Sequence, residues 1–387
     1  MASSSDRLLK MLLEIITKKE CNEVYLIAEI GQNHQGCLET AKSMILEAKK
    51  AGCNCVKFQK SDLKAKFTRS ALNRTYESKH SWGKTYGEHK EFLEFSKEQY
   101  QQLQAYSNEI KIGFTASAMD EPSLDFLVDL KVPFIKIGSG DANNFPLLTK
   151  AASLNIPLVI STGMQTMQTV DKIVEIMEQA GNNQYALMHC VSAYPTPPND
   201  CNLQMIATLM QRYPTVTIGY SGHELGIRIT EAAILTGARI VERHFTLDKN
   251  QKGSDHRCSL DPSEMCSLVR CINEFKHNAY ISSSSLSADQ VVTILGGGKQ
   301  LEQALQEGNG KYKVILESEL PCRHKLGKSI VAARNLEVRQ QIQATDLAIK
   351  VSEPSGIPAE KYFDIIGMRL KDSVYEDEPI TENMLIP

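Results

Sequence analysis

The stretch PFIKIGSGDANNFPLLTKAASLNIPLVISTG (133–163) contains two short apolar runs, PFIKIGS at 133–139 and PLVISTG at 157–163. Each run is rich in apolar and β-branched residues and ends in glycine or a polar residue, which is typical of a buried strand. The segment between them has the length of one helix. Two buried strands joined by a helix predict a parallel pair with a crossover connection.

The same pattern recurs in both directions along the chain and gives eight strand-like runs. They are VYLIAEIG (24–31), CNCVKFQ (53–59), KIGFTAS (111–117), PFIKIGS (133–139), PLVISTG (157–163), YALMHCVS (185–192), TIGYSG (217–222) and IVERHFT (240–246). Most are separated by segments of helical period, such as 38–48, where the apolar residues fall on one face. Eight strand–helix units within ~220 residues predict an α/β fold of the TIM (β/α)8 barrel class rather than an open sheet.

The connection between the second and third runs is much longer than the others, which indicates an insertion after strand two. It contains RTYESKHSWGKTYGEHK (74–90), a polar, basic and aromatic sequence. Because the insertion follows a strand, we expect it at the end of the barrel where active sites are built. Its aromatic content favours an ordered, functional loop.

Four regions are predicted along the chain. Residues 1–23 form an amphipathic leader helix, 24–277 the barrel, 278–320 a linker and 321–387 a small β-rich domain. The linker prediction follows from SSSSLS and GGG, with only a modest helical pattern near its centre. The small domain is expected to need a neighbour for stability, because it is short.

Composition excludes several classes of protein. The 387 residues include 43 Lys plus Arg and 46 Asp plus Glu, a net charge of −3, which argues against a general nucleic-acid binder. No segment approaches ~20 unbroken apolar residues, so we expect no membrane span. The ten cysteines are scattered without a CxxC pair, which argues against a zinc ribbon or disulfide framework and indicates a reducing compartment. With no targeting signal visible, we expect the cytoplasm.

Lysines and hydroxyl residues end the strand-like runs, where a barrel directs them to its mouth. Lys57 and Lys136 lie within the apolar runs VKF and IKI, where a charge is costly unless a pocket requires it. Lysines and hydroxyls at one opening would bind a phosphate or a carboxylate. We therefore expect a small, doubly anionic substrate. The alternative is that the lysines reach solvent or pair with Glu29.

His223 and His244 end the seventh and eighth runs, which are neighbours in a closed barrel. Two adjacent imidazoles suit a divalent first-row metal with positions open to water and substrate, whereas a structural zinc would take four protein ligands. The alternative is two hydrogen-bonding histidines in a packed mouth. His34, in a polar turn, and His189, within the sixth run, are weaker candidates. No HExxH, G-x-S-x-G, Walker or G-x-G-x-x-G motif is present.

A series of motifs in one order resembles the sialic acid synthase family of phosphoenolpyruvate-condensing enzymes. They are IAEIGQNHQG (27–36), KFQ (57–59), FTASAMDEPSLDFL (114–127), KIGSGD (136–141), STGM (161–164), HCVSAYPTP (189–197), IGYSGH (218–223) and ERHFTLDKNQKGSDH (242–256). The resemblance covers about 24–277 and 321–387 and implies a TIM barrel followed by a small antifreeze-like (SAF) domain. The loop KHSWGKTYGEHK resembles the animal branch, which typically acts on N-acetylmannosamine 6-phosphate rather than the free sugar.

The resemblance also implies roles for individual residues. Phosphoenolpyruvate would be held by Lys57, Lys136, Ser139, Ser161, Ser192 and Ser221. The metal, usually manganese with magnesium as an alternative, would be held by His223 and His244, which with Glu29 are the expected catalytic residues. The sugar would face Asp141, Tyr194 and Asp255, as well as Glu29. In the family the SAF domain is swapped onto a partner's barrel and supplies a basic residue, here Lys328, which implies a homodimer.

The reaction implied by the resemblance joins phosphoenolpyruvate to N-acetylmannosamine 6-phosphate, with the free sugar and mannose 6-phosphate as further acceptors. The products would be N-acetylneuraminate 9-phosphate and inorganic phosphate, released by C–O cleavage. One alternative is the synthesis of another nonulosonic acid, such as KDN 9-phosphate. A second is a non-catalytic sugar-phosphate-binding protein, against which the intact lysines and histidines argue.

Overall fold

A computed structural model of the chain describes residues 4–17, 22–281, 285–306 and 312–386. The ends of the predicted leader, Cys21 and part of the Ser-rich run lie outside these ranges. Eight parallel strands close into a barrel in chain order, so the predicted TIM barrel is confirmed. The strands are β1 (Tyr25–Gly31), β2 (Cys55–Lys60), β3 (Gly113–Ala118), β4 (Ile135–Ile137), β5 (Leu158–Ser161), β6 (Tyr185–Cys190), β7 (Thr217–Gly222) and β8 (Ile240–His244).

Most of the helices that follow a barrel strand cover the outside of the barrel and bury their apolar faces in one continuous core. Other helices precede the first strand or lie in the insertion after β2. The helices are α1 (Ser4–Thr17), α2 (Leu38–Ala51), α3 (Leu63–Lys66), α4 (Arg69–Asn73), α5 (Tyr86–Leu93), α6 (Lys97–Glu109), α7 (Glu121–Asp129), α8 (Phe145–Ser153), α9 (Met167–Gln179), α10 (Gln204–Arg212), α11 (Arg228–Leu235), α12 (Pro262–His277), α13 (Ala288–Leu295), α14 (Lys299–Leu305) and α15 (Leu320–Leu326). In the described part of the chain, no helix is both long and apolar enough to cross a bilayer.

The strand register brings polar residues into one layer at the carboxyl end of the barrel. Glu29 is paired with Lys57 on one side and with His244 on the other. Ser117 is paired with Lys136 in the same way. Side chains of adjacent parallel strands at one level point to the same side of the sheet, so these groups meet inside the mouth.

The opposite end of the barrel is closed by α1. Leu12, Ile15 and Ile16 pack into a cluster with Tyr25 of β1 and with Phe134, which directly precedes β4. The apolar face that the sequence shows in this segment is therefore buried under the barrel. Closure at this end leaves the carboxyl end as the open face.

The segment 278–320 differs from the linker that its composition predicts. Helices α13 and α14 lie within it, and Val291, Leu295 and Leu301 are buried in the main core. The physical reason is the helical spacing within each helix: Val291 and Leu295 share one face of α13, and the buried Leu301 belongs to the apolar face of α14. The glycine triplet ends α13, with Gly296 in the left-handed region at φ 81°.

The small domain contains two antiparallel pairs, β9 (Ser329–Ala332) with β10 (Leu347–Lys350) and β11 (Arg369–Leu370) with β12 (Leu385–Ile386). It has an apolar cluster of its own. It contacts the insertion after β2, where the backbone of Val351 pairs with Phe67. The insertion and the small domain together form a roof over the barrel mouth.

Candidate active site

A cavity of about 490 Å³ opens at the carboxyl ends of the barrel strands under this roof. All thirteen residues to which the sequence assigns a role line it. They are Glu29, Lys57, Lys136, Ser139, Asp141, Ser161, Ser192, Tyr194, Ser221, His223, His244, Asp255 and Lys328. The predicted convergence of the two lysines and two histidines on one opening is therefore observed.

Lys57 is the centre of a buried charge cluster at the cavity floor. Its ammonium is 2.5 Å from a carboxylate oxygen of Glu29 and 3.6 Å from Glu242, and it donates to Ser117 at 2.9 Å. Burial lowers the pKa of Lys57, but the carboxylates of Glu242 and Glu29 outweigh it and raise the pKa. Lys57 is therefore held as a cation without contact to bulk water.

For Glu29, the effect of burial on the pKa is larger than the effect of its charged partner. Burial raises its pKa, and although Lys57 partly offsets this, the pKa rises to about 7. Its other oxygen accepts a hydrogen bond from Gln59 at 2.9 Å. A carboxyl group with this pKa exchanges a proton near neutral pH.

Lys136 extends the cluster toward the next strand. It donates to the Ser161 hydroxyl at 2.7 Å and lies 3.8 Å from Glu242. Burial lowers the pKa of Lys136. Burial raises the pKa of Glu242, but Lys136 and Lys57 outweigh burial and bring the pKa below its ordinary value. Glu242 therefore stays ionised between the two lysines. Near neutral pH the two ammonium groups thus face one ionised carboxylate, that of Glu242, and one partly protonated carboxylate, that of Glu29. The positive charge that remains can be balanced by an anionic substrate.

The serines of the next loops stand beside the lysines. Ser139 Oγ accepts the Gly163 amide at 3.0 Å, and Glu319 accepts the amide of Ser192 at 2.9 Å. A Cβ at Gly163 would lie 2.3 Å from the Ser192 hydroxyl. Only glycine therefore lets these two hydroxyls approach the loop after β5 this closely.

His223 and His244 lie side by side, with ring centroids 5.3 Å apart. Nδ1 of His223 donates to the Val191 carbonyl at 2.8 Å. Burial lowers the pKa of His223, but the neighbouring Cys190 outweighs burial and raises this pKa. Nδ1 of His244 is buried and has no hydrogen-bond partner among the described residues. Burial lowers the pKa of His244 to about 3, so its ring is neutral, the form that binds metals.

The described residues contain no group of three or more His, Cys, Asp or Glu side chains arranged to hold a metal ion. The carboxylate nearest to His244 is that of Asp255, at 3.9 Å from Nδ1. The cavity lining also includes Cys190, Glu242 and Asp255, but none of them completes a group of three with the two rings. The two imidazoles would then be the protein ligands, and the other coordination positions would belong to water and substrate. This donor set fits an open catalytic site better than a closed structural one.

The outer part of the cavity carries the residues expected to face the sugar. Tyr194 is 40% exposed and its ring centroid is 4.1 Å from that of His223. Lys328 forms an ion pair with Asp141 and comes from the small domain of the same chain. The residue predicted to reach a partner's barrel therefore reaches its own barrel in this structure.

Two of the weaker candidates are placed elsewhere. His34 stacks on Phe95 at a centroid distance of 4.1 Å, and His189 is hydrogen-bonded to the Cys201 carbonyl at 2.8 Å inside the core. Neither lines the described cavity. Sequence reasoning assigned no role to Glu242, although its place two residues before His244 puts it on the same strand end.

Two family models match the chain, the NeuB family over residues 44–280 and the SAF domain over 327–386. The N-acetylneuraminate-9-phosphate synthase of Drosophila melanogaster is 65% identical over 376 residues, which are 97% of this chain and 100% of that protein. The human N-acetylneuraminate-9-phosphate synthase is 46% identical over 93% of this chain and 92% of its own.

Among solved structures, the Bacillus subtilis spore coat polysaccharide biosynthesis protein SpsE superposes with a TM-score of 0.75 at 26% identity. The superposition covers 94% of this chain and 96% of that one. The resemblance to sialic acid synthases that the motifs indicate is thus confirmed over the barrel and the small domain. The chain belongs to the NeuB family.

Proposed function

We propose that this protein is a sialic acid synthase that condenses phosphoenolpyruvate with N-acetylmannosamine 6-phosphate and releases inorganic phosphate. The observation that carries the proposal is the meeting of Lys57, Lys136, His223 and His244 in one cavity. Those groups can hold a small dianion beside a carbonyl acceptor. The high identity to proteins named N-acetylneuraminate-9-phosphate synthase supports this assignment.

Phosphoenolpyruvate would occupy the cavity floor. Lys57 and Lys136 would neutralise its phosphate and carboxylate, and the hydroxyls of Ser139, Ser161 and Ser221 would donate to their oxygens. Lys57, Lys136 and Ser161 are buried, so these contacts would form away from bulk water, where they are stronger. Exclusion of water also protects the enol phosphate from simple hydrolysis.

We further propose that His223 and His244 hold a divalent metal, with manganese as the first choice and magnesium as the alternative. The fit rests on the neutral ring of His244, on its nitrogen without a hydrogen-bond partner among the described residues, and on the His223 ring held in place by the Val191 carbonyl. When bound, the metal would supply a Lewis acid next to the aldehyde oxygen of the sugar. The protein fixes the rings by burial and by the Val191 carbonyl.

In the reaction, C3 of phosphoenolpyruvate forms a bond to the aldehyde carbon, the aldehyde C=O π bond opens to an alkoxide that takes up a proton, and positive charge is left at C2. Water then adds to C2, and Glu29 accepts the proton that this water loses. Its pKa of about 7 suits this role at neutral pH. The tetrahedral intermediate then breaks the C2–O bond to phosphate while its new hydroxyl gives its proton to the departing phosphate. Inorganic phosphate leaves, and a nine-carbon 2-keto acid 9-phosphate remains.

The test is a panel of acceptors assayed by phosphate release with phosphoenolpyruvate and manganese. N-Acetylmannosamine 6-phosphate should be turned over with the highest kcat/KM among N-acetylmannosamine, mannose 6-phosphate and glucosamine 6-phosphate. Mannose 6-phosphate as the best acceptor would instead assign the KDN 9-phosphate reaction. Binding of the sugar phosphate without phosphate release from any acceptor would contradict a catalytic function.

We propose, finally, a homodimer in which the small domains are exchanged. The small domain has its own core and reaches the barrel cavity through Lys328, so it is a separable unit that a second chain can supply. The nine cysteines in the described part of the whole chain are free thiols, a state that fits the proposed cytoplasmic location.

Exchange predicts that two defective chains restore each other. Lys57→Met removes a barrel residue and Lys328→Met a small-domain residue, so a mixed exchanged dimer contains one intact site. Random mixing of both chains during co-expression should therefore give about a quarter of the wild-type activity. Activity no higher than that of either variant alone, or sedimentation of the wild type as a monomer, would exclude the exchange.

A further inference from the structure

Three lysines outside the predicted site line the outer part of the same cavity. Lys66 ends α3 and Lys90 lies in α5, both in the insertion after β2, whereas Lys325 lies in α15 at the entry to the small domain. Lys66 and Lys90 are only 5% and 9% exposed. Lysines are rarely buried to this extent without a partner.

The partners of these lysines are weak. The ammonium of Lys66 lies 2.8 Å from the thioether sulfur of Met119, and that of Lys90 donates to the neutral side-chain oxygen of Gln32 at 3.1 Å. Among the described residues, none of the three lysines forms an ion pair with a carboxylate within 4.0 Å. The floor lysines differ, because they face Glu29 and Glu242 directly.

Lys325 completes the cluster of lysines. The ammonium of Lys325 lies 5.8 Å from the ring centroid of Tyr76, a contact with the insertion and not with an acid. The ammonium of Lys90 lies 5.5 Å from the ring centroid of Tyr86. Aromatic rings on this side leave the three ammonium groups without a neutralising carboxylate among the described residues, and all three line the cavity.

Burial, together with a neighbouring ammonium group, lowers the pKa of Lys66 and of Lys90 to about 8. The neighbouring group is Lys90 for Lys66 and Lys325 for Lys90. Asp141 and Asp255 oppose this from a greater distance. The cluster therefore holds more positive charge than its surroundings balance.

We infer that Lys66, Lys90 and Lys325 form a second anion subsite, which binds the phosphate monoester of the sugar substrate. The inference rests on the proposed function and names the residues that select a phosphorylated acceptor. The position supports it, since the charges that act on these lysines include Asp141 and Asp255, which are expected to face the sugar. The enol phosphate would instead lie with Lys57 and Lys136 on the floor.

Two substitutions test the subsite. Lys66→Met and Lys90→Met keep most of the side-chain volume and remove the charge, and each should raise the KM for N-acetylmannosamine 6-phosphate roughly tenfold or more, as loss of a charged hydrogen bond does. The KM for N-acetylmannosamine and for phosphoenolpyruvate should change by less than about twofold, because neither ligand contacts the subsite. Lys64→Ala is the matched control, because Lys64 lies exposed on the same helix as Lys66.

Several outcomes would overturn the inference. An equal rise in KM for the phosphorylated and the free sugar, or a rise in KM for phosphoenolpyruvate alone, would show that these lysines do not bind the phosphate of the sugar. If the variants were less inhibited by inorganic phosphate than the wild type but had an unchanged KM for the sugar, the cluster would be a site for the released phosphate. Lys325→Met, the variant with the most exposed of the three side chains, gives the same readout if a buried variant fails to fold.

Failure of the proposed function gives a different result. If the wild type turns over neither sugar, the variants are titrated calorimetrically with N-acetylmannosamine 6-phosphate alone. A loss of affinity in Lys90→Met but not in Lys64→Ala would then retain the subsite without the reaction. Equal affinity of wild type and variants would reject the subsite.

Discussion

Lys57→Met should lower kcat/KM for phosphoenolpyruvate at least a hundredfold, because it removes a buried ammonium that would bind the substrate anion. The substitution also leaves Glu29 and Glu242 without their shared cation. Breaking a buried pair in this way costs about 3–5 kcal/mol of unfolding free energy. Steady-state kinetics and urea unfolding at two pH values measure the two effects.

The stability loss should depend on pH with a definite sign. The pKa of Glu29 is raised to about 7 in the folded wild type against 4.5 for the free group, and removal of Lys57 raises it further. A carboxyl with a raised folded pKa loses stability as pH rises from the unfolded to the folded value. The variant should therefore lose more stability at pH 8 than at pH 6.

A matched control exists on the same strand. Lys60 pairs with Glu94 at 2.6 Å and lies outside the cavity lining, so Lys60→Met should leave the KM for phosphoenolpyruvate unchanged. Unchanged affinity for phosphoenolpyruvate in Lys57→Met would refute the proposed role of the floor cluster. A stability loss that shrinks as pH rises would refute the charge pairing.

His223→Ala and His244→Ala should each lower manganese-dependent turnover about a thousandfold or more, since a Lewis acid contributes several kcal/mol to such a barrier. Each variant should also lose bound manganese in equilibrium dialysis, because the cavity offers only two imidazoles among its described residues. Treatment of the wild type with a chelator should reproduce the loss, and added manganese should restore activity to the wild type alone.

His277→Ala is the control for the histidine variants, because His277 lies exposed at the end of α12, away from the barrel mouth. Its turnover and metal content should match those of the wild type. A histidine variant that kept normal turnover after chelation would show that the ligand assignment is wrong. Normal metal content together with lost turnover would indicate that both rings contact the substrate and do not bind the metal.

The sequence alone predicts the barrel and its floor because both depend on short-range patterns. Strand ends of a parallel barrel all meet at one face, so locating Lys57, Lys136, His223 and His244 at run ends was sufficient to bring them together. The charge within VKF and IKI marked a site that the strand context would otherwise disfavour.

The rest depends on contacts that no local pattern encodes. Glu242 joins Lys57 and Lys136 only because barrel closure turns the ends of β8, β2 and β4 toward the same interior, although no two of these strands are neighbours. Lys66 and Lys90 stand in polar sequence without periodicity, and their burial becomes visible only under the folded roof. In 278–320, serine and glycine dominated the composition and hid two short helices of 8 and 7 residues.

Lys66 joins the insertion to the small domain through its main chain and lines the cavity with its side chain. The Lys66 carbonyl accepts the Val351 amide at 2.8 Å, and the Val351 carbonyl accepts the Thr68 amide at 3.0 Å. These bonds use main-chain groups, whereas the Lys66 ammonium is directed to the cavity. A substitution of the Lys66 side chain should therefore change the preference for the sugar acceptor, while the main-chain bonds still join the insertion to the small domain. Acceptor preference and domain contact can thus evolve independently at this position.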